Sequence, residues 1–278
     1  MGTGLSWKDR YGPWALVAGA SAGIGEAWAR EAARRGLNVV LLARRAAPLR
    51  RLSGELAERY GVKTIVLPLD LSRADSVEVL ARRVRGLEIG LVICNAAAIP
   101  VDPFLERGME EHLAAMNVNV RAPLALAHRL GAPMLARGRG GMVFMASLSA
   151  SMGTARVVHY AATKAWNRVF AEGLWVEWRK HGVDALACVA GTVDTPGMRA
   201  SNARSMLGAQ SAEAVVRASV AALGKRPSVI PGWGNRISGF FMERLMPRKL
   251  MIQLLGGVME RMYPRPDVKG PLSGNRRK

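Results

Sequence analysis

Three residues near the middle of the chain carry side chains suited to chemistry. Ser147 is followed thirteen positions later by Tyr160, and Lys164 lies four positions beyond the tyrosine. Residues four apart on a helix share a face, so the ammonium and the phenol are expected to be neighbours. A positive charge there favours the phenolate and is expected to draw the tyrosine pKa below its usual value of about 10. Tyr160 would then donate or accept a proton near neutral pH, as general acid–base catalysis requires. Ser147 ends the apolar run GMVFMAS, which reads as a strand, where its hydroxyl can meet a substrate oxygen beside the tyrosine. A Tyr–Lys spacing alone fits an interfacial tyrosine and a solvated lysine equally well. The elements around it decide.

Residues Trp14–Gly19, WALVAG, read as a buried strand that passes into a glycine-rich turn and a helix ending at Gly36. Gly19, Gly23 and Gly25 let the backbone turn tightly and approach a pyrophosphate, whose charge the helix N-terminus attracts. Their spacing is G-x-x-x-G-x-G, not the commoner G-x-G-x-x-G. A second strand, NVVLLA at 38–43, ends in Arg44-Arg45. Sites for NAD(H) tend to place an acid here for the ribose hydroxyl, whereas arginine accommodates a 2′-phosphate, so NADP(H) is expected over NAD(H). A helix over about 48–60 and the strand KTIVLPLD at 63–70 follow. Asp70 stands at the ligand-binding edge of such a sheet, where it could bond an adenine or simply cap the next helix. An amphipathic stretch over 72–85, the strand GLVICN at 90–95 and a mostly apolar helix over about 110–135 come next. Asn117 and Asn119 lie in that helix, where buried amides need internal partners. Then come a strand at 142–147, the Tyr160 helix to about residue 180 and a strand at 184–190. Continuous apolar strands alternating with helices predict an α/β fold, a doubly wound parallel sheet with helices on both faces.

In this order and spacing the residues resemble the short-chain dehydrogenase/reductase family from about Trp14 to Pro231. AGASAGIG is similar to its glycine motif, with Ala18 where threonine is common. Asn95-Ala96-Ala97 resembles its N-A-G motif, with alanine at the last position, and Ala190-Gly191 resembles its P-G stretch without the proline. The resemblance implies a catalytic set of Asn119, Ser147, Tyr160 and Lys164. In that set Asn119 holds a water of a proton relay, and Lys164 binds nicotinamide ribose hydroxyls. It also implies a cofactor-binding set running through Gly19, Ser21, Gly23, Ile24 and Gly25, then Arg44, Asp70 and Leu71, then Asn95 and Ala96. Tyr160, Lys164, Gly191, Val193 and Thr195 complete it, with Thr195 on the nicotinamide carboxamide. The implied reaction is hydride transfer between NADP(H) and a carbonyl or secondary alcohol. Residues 192–210 correspond to a mobile substrate loop, in which Met198 and Met206 could line an apolar site. A homodimer or homotetramer built on the helices around Asn119 and Tyr160 is implied as well.

Composition bounds the remainder. The chain has 278 residues, half of them hydrophobic, and no break that would mark a second catalytic domain. The expected division is a single domain over 1–231 and a helical, basic extension over 232–278 packing on or near the substrate site. The opening MGTGLSWKDRYGPW carries no long apolar run, so no signal peptide is expected, and no run spans a bilayer. Cys94 and Cys188 fall in apolar strands and are expected to be reduced, which points to a cytoplasmic protein and to no metal site. The net charge is +19, and residues 201–278 hold 14 Lys/Arg against 4 Asp/Glu. No aromatic-interleaved basic motif accompanies it, so nucleic acid is not an expected partner. In the extension Met251, Leu254, Leu255, Val258, Met259 and Met262 form a helical stripe beside Arg248, Lys249 and Arg261. The segment 240–265 could therefore touch a membrane peripherally, roof the pocket or form a dimer contact. An apolar tail beside the site points to lipophilic ketones of 3-oxoacyl or steroid-like type. The alternative is a non-catalytic, cofactor-binding scaffold that uses this helix to reach a membrane or partner.

Overall fold

The alternating apolar runs form strands of one sheet, because each run is too apolar to face water on either side. The computed structural model of the chain describes residues 6–200 and 209–263. Its sheet is built from β1 (Trp14–Ala18), β2 (Asn38–Ala43), β3 (Thr64–Pro68), β4 (Ile89–Cys94), β5 (Gly140–Ser147), β6 (Val183–Ala190) and β7 (Ser228–Val229). All pair in parallel, in the order β3-β2-β1-β4-β5-β6-β7. The order reverses between β1 and β4, and a crevice opens at the carboxyl ends of strands at such a point.

A short helix α1 (Trp7–Tyr11) precedes β1. The helices α2 (Gly23–Arg34) and α3 (Ala46–Tyr60) cover one face together with α9 (Ala212–Ala222). There Ala15 and Val17 meet Trp28, Leu49 and Val215. The other face carries α4 (Ser76–Arg83), α6 (Ala122–Arg137) and α7 (Val158–Trp178), so Leu16 and Ala18 meet Leu80, Leu126 and Ala171. Each such leucine contributes about 1.5–3 kcal/mol by leaving water. The remaining helices are α5 (Met109–Met116), α8 (Pro196–Ala200), α10 (Trp233–Phe240) and α11 (Arg248–Met262).

The expected long helix over 110–135 is interrupted. A π-helical turn, Asn117–Arg121, separates α5 from α6. Pro123 explains it: with no N–H, it cannot bond the Asn119 carbonyl four residues back, and its ring crowds that oxygen. The Asn167 side-chain amide donates to the freed carbonyl at 2.8 Å. The C-terminal stripe also differs from expectation. Met251 and Met262 are buried, but Leu254 is 49% exposed. Only part of the stripe serves as packing. Met206 and the last fifteen residues lie outside the described residues.

Candidate active site

The carboxyl ends of β1, β2, β4, β5 and β6 open into one cavity of about 850 Å³. The β5–β6 register sets Ser147 beside Ala190 and so next to Gly191. Helix α7 then brings Tyr160 and Lys164 to the same wall, and all three line the cavity. The spacing argument is met: Lys164 Nζ lies 5.6 Å from the Tyr160 ring centroid. The ammonium also donates to the Met145 carbonyl at 2.7 Å, which fixes it against β5. Ser149 supports the serine, its backbone N–H and hydroxyl approaching Ser147 Oγ at 3.3 and 3.0 Å.

The electrostatics correct the expected lowering of the tyrosine. Burial pushes the Tyr160 phenol up to about 12, although its hydrogen bond with Ser147 pulls the other way. Burial brings Lys164 down to about 8, opposed by the Cys94 and Cys188 thiols. Desolvation outweighs the ammonium because both groups sit in the interior, where forming any charge is costly. Tyr160 is therefore held as a proton donor at neutral pH. The two thiols are themselves pushed up to about 12 by burial, and both are free.

The first turn fits a dinucleotide by its backbone. Gly19 has φ +87°, and a Cβ there would lie 2.8 Å from the Ala96 nitrogen. Gly23 has φ +58°, and a Cβ would lie 2.8 Å from Thr195 Cγ2, so the turn closes directly against the β6 loop. Gly25 does not line the cavity. It lets α2 approach β1, since a Cβ would strike the Gly19 carbonyl at 2.0 Å. Asn95 reinforces the turn, its Nδ2 donating to that carbonyl at 3.1 Å. Ser21 and Ile24 line the cavity beside the glycines, and Arg44, Asp70 and Leu71 line it at the β2–β3 end. Ala96, Gly191, Val193 and Thr195 do so near Ser147. Both readings of Asp70 hold together: it faces the cavity and accepts from the Ser72 N–H at 2.9 Å. That bond, with Arg44 and Arg73 nearby, holds its carboxyl below the usual range. Arg45 lines the cavity as well. Arg44 and Arg45 thus stand together at the end of β2, with Asp70 of the next strand end close to Arg44. A bound dinucleotide fits this set: backbone room at the glycines, a helix N-terminus and two cations at the end of β2.

Asn119, like Gly25, stands outside the cavity lining. It is 1% exposed. Its Oδ1 accepts from the Ala98 N–H at 2.8 Å, and its Nδ2 donates to the Ala98 carbonyl at 2.8 Å and to Thr163 Oγ1 at 3.1 Å. Its own carbonyl is taken by Asn167. The Asn119 side chain is thus committed to the strand-end loop after β4. Both of its bonds to Ala98 are to the backbone of a residue that lines the cavity.

Four participants escaped the sequence reading. Thr163 and Asn167, 3% and 2% exposed, complete the Asn119 cluster from α7. Their signal was present, as polar residues three and seven positions after Tyr160 on an apolar helix. Asn235 seats on Gly191, where a Cβ would meet its amide at 2.5 Å. Tyr263 reaches back from the end of α11, its hydroxyl 3.9 Å from Met198 Sδ on the cavity wall, and it disfavours charge on Tyr160. Nothing in the linear sequence ties residues 235 or 263 to this site.

The family model for short chain dehydrogenases matches residues 13–206. A 7beta-hydroxysteroid dehydrogenase of Clostridium sardiniense is 29% identical over 93% of this chain and all of its own. A very-long-chain 3-oxoacyl-CoA reductase-like protein of Arabidopsis thaliana is 30% identical over 87% of this chain and 80% of its own. Among solved structures, one from work on 7beta-hydroxysteroid dehydrogenase stereoselectivity superposes with a TM-score of 0.87 at 29% identity. It covers 91% of this chain and all of that one. A short-chain dehydrogenase from Sphingobium yanoikuyae in complex with NADPH shares the fold, with a TM-score of 0.73 at 23% identity over 95% of this chain and all of that one.

Proposed function

The chain belongs to the short-chain dehydrogenase family and is an oxidoreductase, and from that premise we propose that it reduces a lipophilic ketone with NADPH. The observation that carries the reading is the meeting of Ser147, Tyr160 and Lys164 on one wall of a cavity whose opposite end is the glycine turn. The family uses a nicotinamide cofactor, and the bound cofactor supplies the hydride. Tyr160 hydrogen-bonds the substrate oxygen and gives it a proton, as its raised pKa suits. Ser147 donates a second hydrogen bond to that oxygen and so favours the charge that develops there. Lys164 holds positive charge beside the phenol and, where the cofactor sits, meets ribose hydroxyls.

Preference for NADP(H) over NAD(H) rests on Arg44 and Arg45 at the cavity edge. Preference for a lipophilic ketone rests on the apolar wall of Ile99, Pro100, Met145, Val193 and Met198. The relatives named for hydroxysteroid and 3-oxoacyl chemistry point to the same class. The described part of the extension, residues 232–263, is assigned to the substrate side, supported by Asn235 on Gly191 and by Thr154 Oγ1 donating to the Leu255 carbonyl at 3.4 Å. Self-association through α5–α7 is part of the proposal, with Leu113, Val169 and Val176 56–67% exposed there. So is a cytoplasmic location with peripheral lipid contact. No helix among the described residues is long and apolar enough to cross a membrane. A non-catalytic scaffold is set aside by the family's activity.

Thermal unfolding with NADPH and with NADH tests the cofactor, since a ligand of the folded state raises Tm with occupancy. NADPH should shift Tm more, and Arg44→Ala should shrink that difference. Tyr160→Phe should cut ketone reduction about 10²–10⁴-fold while the NADPH shift persists. Full turnover in that variant sinks the mechanism.

A further inference from the structure

The C-terminal helices carry a face that the reaction leaves unused. In α10 and the π-helical turn Phe241–Leu245 after it, Trp233, Ile237, Phe240, Phe241 and Leu245 are 78, 49, 56, 49 and 56% exposed. Steps of four, three, one and four residues gather them on one side of the helix. The other side is the packed one: Gly239 is buried, and a Cβ there would lie 3.0 Å from Ile230 and 3.6 Å from Leu148. Leu148 follows Ser147 in the chain, so α10 lies over the catalytic wall with its aromatic side turned outward. Leu250, Ile252 and Leu254 of α11 add further exposed apolar surface. Contiguous apolar surface of this kind on a folded protein marks a contact site.

Charge selects the occupant. Arg236, Arg244, Arg248 and Lys249 are exposed around the apolar side chains, and residues 233–262 carry five Lys/Arg against two Asp/Glu. A second copy would press this basic surface against its own like, in a chain already at +19. An anionic partner complements it. The surface is a helix with protruding rings, and such rings enter a fluid boundary one by one. Trp, Phe and Leu on one side with cations flanking them are the composition of helices that lie in the headgroup layer.

We propose that α10, the turn after it and the start of α11 form a docking surface for an anionic lipid bilayer. Trp233, Phe240 and Phe241 enter the headgroup boundary, and Arg244, Arg248 and Lys249 meet lipid phosphates. The proposal deepens the lipophilic-ketone reading, because docking sets the pocket against the phase in which such substrates dissolve, but its test needs no substrate.

The full-length protein is sedimented with phosphatidylcholine vesicles containing or lacking phosphatidylglycerol. The expected result is binding about tenfold or more stronger with the anionic lipid, lost at high salt. The triple variant Trp233→Ser/Phe240→Ser/Phe241→Ser should bind about tenfold more weakly, as should Arg244→Glu/Arg248→Glu/Lys249→Glu. Both should keep the NADPH-induced Tm shift as proof of folding. Spin-labelled lipid should quench tryptophan emission less in Trp233→Phe than in the wild type. Binding indifferent to anionic lipid, or unchanged in both triple variants, overturns the proposal. So does a wild-type dimer that ignores vesicles and that the aromatic variant splits, which would give the face to a second copy. Vesicle binding by a protein without reductase activity upholds the surface and refutes the catalytic reading alone.

Discussion

Replacing Asn119 by alanine separates two roles that a catalytic asparagine could play. The substitution removes three hydrogen bonds made by a side chain that is 1% exposed. It leaves the N–H and C=O of Ala98 without their partner beside the cavity. An orphaned buried polar group costs about 1–3 kcal/mol, so two cost about 2–6 kcal/mol, against a total stability of about 5–15 kcal/mol for a domain. For a chain of this size each kcal/mol lowers Tm by about 2–4 °C, which predicts a fall of about 4–24 °C. The assay is thermal unfolding of wild type and Asn119→Ala with and without NADPH, beside ketone turnover under conditions where both are folded. Because Ala98 lines the cavity, the NADPH-induced shift should shrink along with Tm. An unchanged Tm with turnover down about a hundredfold would refute the positioning argument and restore the side chain to a proton relay.

Other outcomes follow from the same geometry. With Lys164 near 8 and Tyr160 near 12, the phenol stays protonated up to pH 10 while the ammonium is lost. Reductive kcat/KM should therefore be level below pH 8 and fall about tenfold per unit above it, and Lys164→Arg should remove that limb. Gly23→Ala places a methyl 2.8 Å from Thr195 at φ +58°. It should weaken NADPH binding, read by titration, by more than it lowers Tm in the absence of cofactor. Cys94 and Cys188 should stay unreactive to a thiol reagent in the native protein and titrate as two thiols once it is unfolded, because burial holds both near 12. Tyr263→Phe should change KM for bulky ketones while leaving the pH limb of Lys164 in place.

Except for β7, which is only two residues long and left no apolar run to read, the sequence by itself determined the strands, six of the seven, with the glycine turn and the Ser147–Tyr160–Lys164 set. Each is local: apolar runs four to eight residues long, glycines where φ is positive, and side chains one helical turn apart. Strand ends came out within a few residues for the same reason. Alternating strands and helices leave few ways to wind a parallel sheet, but the reversal of strand order between β1 and β4 was read from the tertiary structure. Tertiary structure alone decided what each polar group has as a partner. Asn119 reads as a relay residue by its place in a motif, but Pro123 frees its carbonyl and packing turns its amide toward Ala98 and Thr163. Asn235 comes to Gly191 across 44 residues of chain, and Tyr263 comes to Met198 across 65 and to Tyr160 across 103, a closure that no spacing rule encodes. The pKa directions were decided there too. Adjacency of Lys164 and Tyr160 predicts mutual stabilisation of charge, whereas the interior in which both are held penalises charge on either, and desolvation exists only once the chain has folded around them.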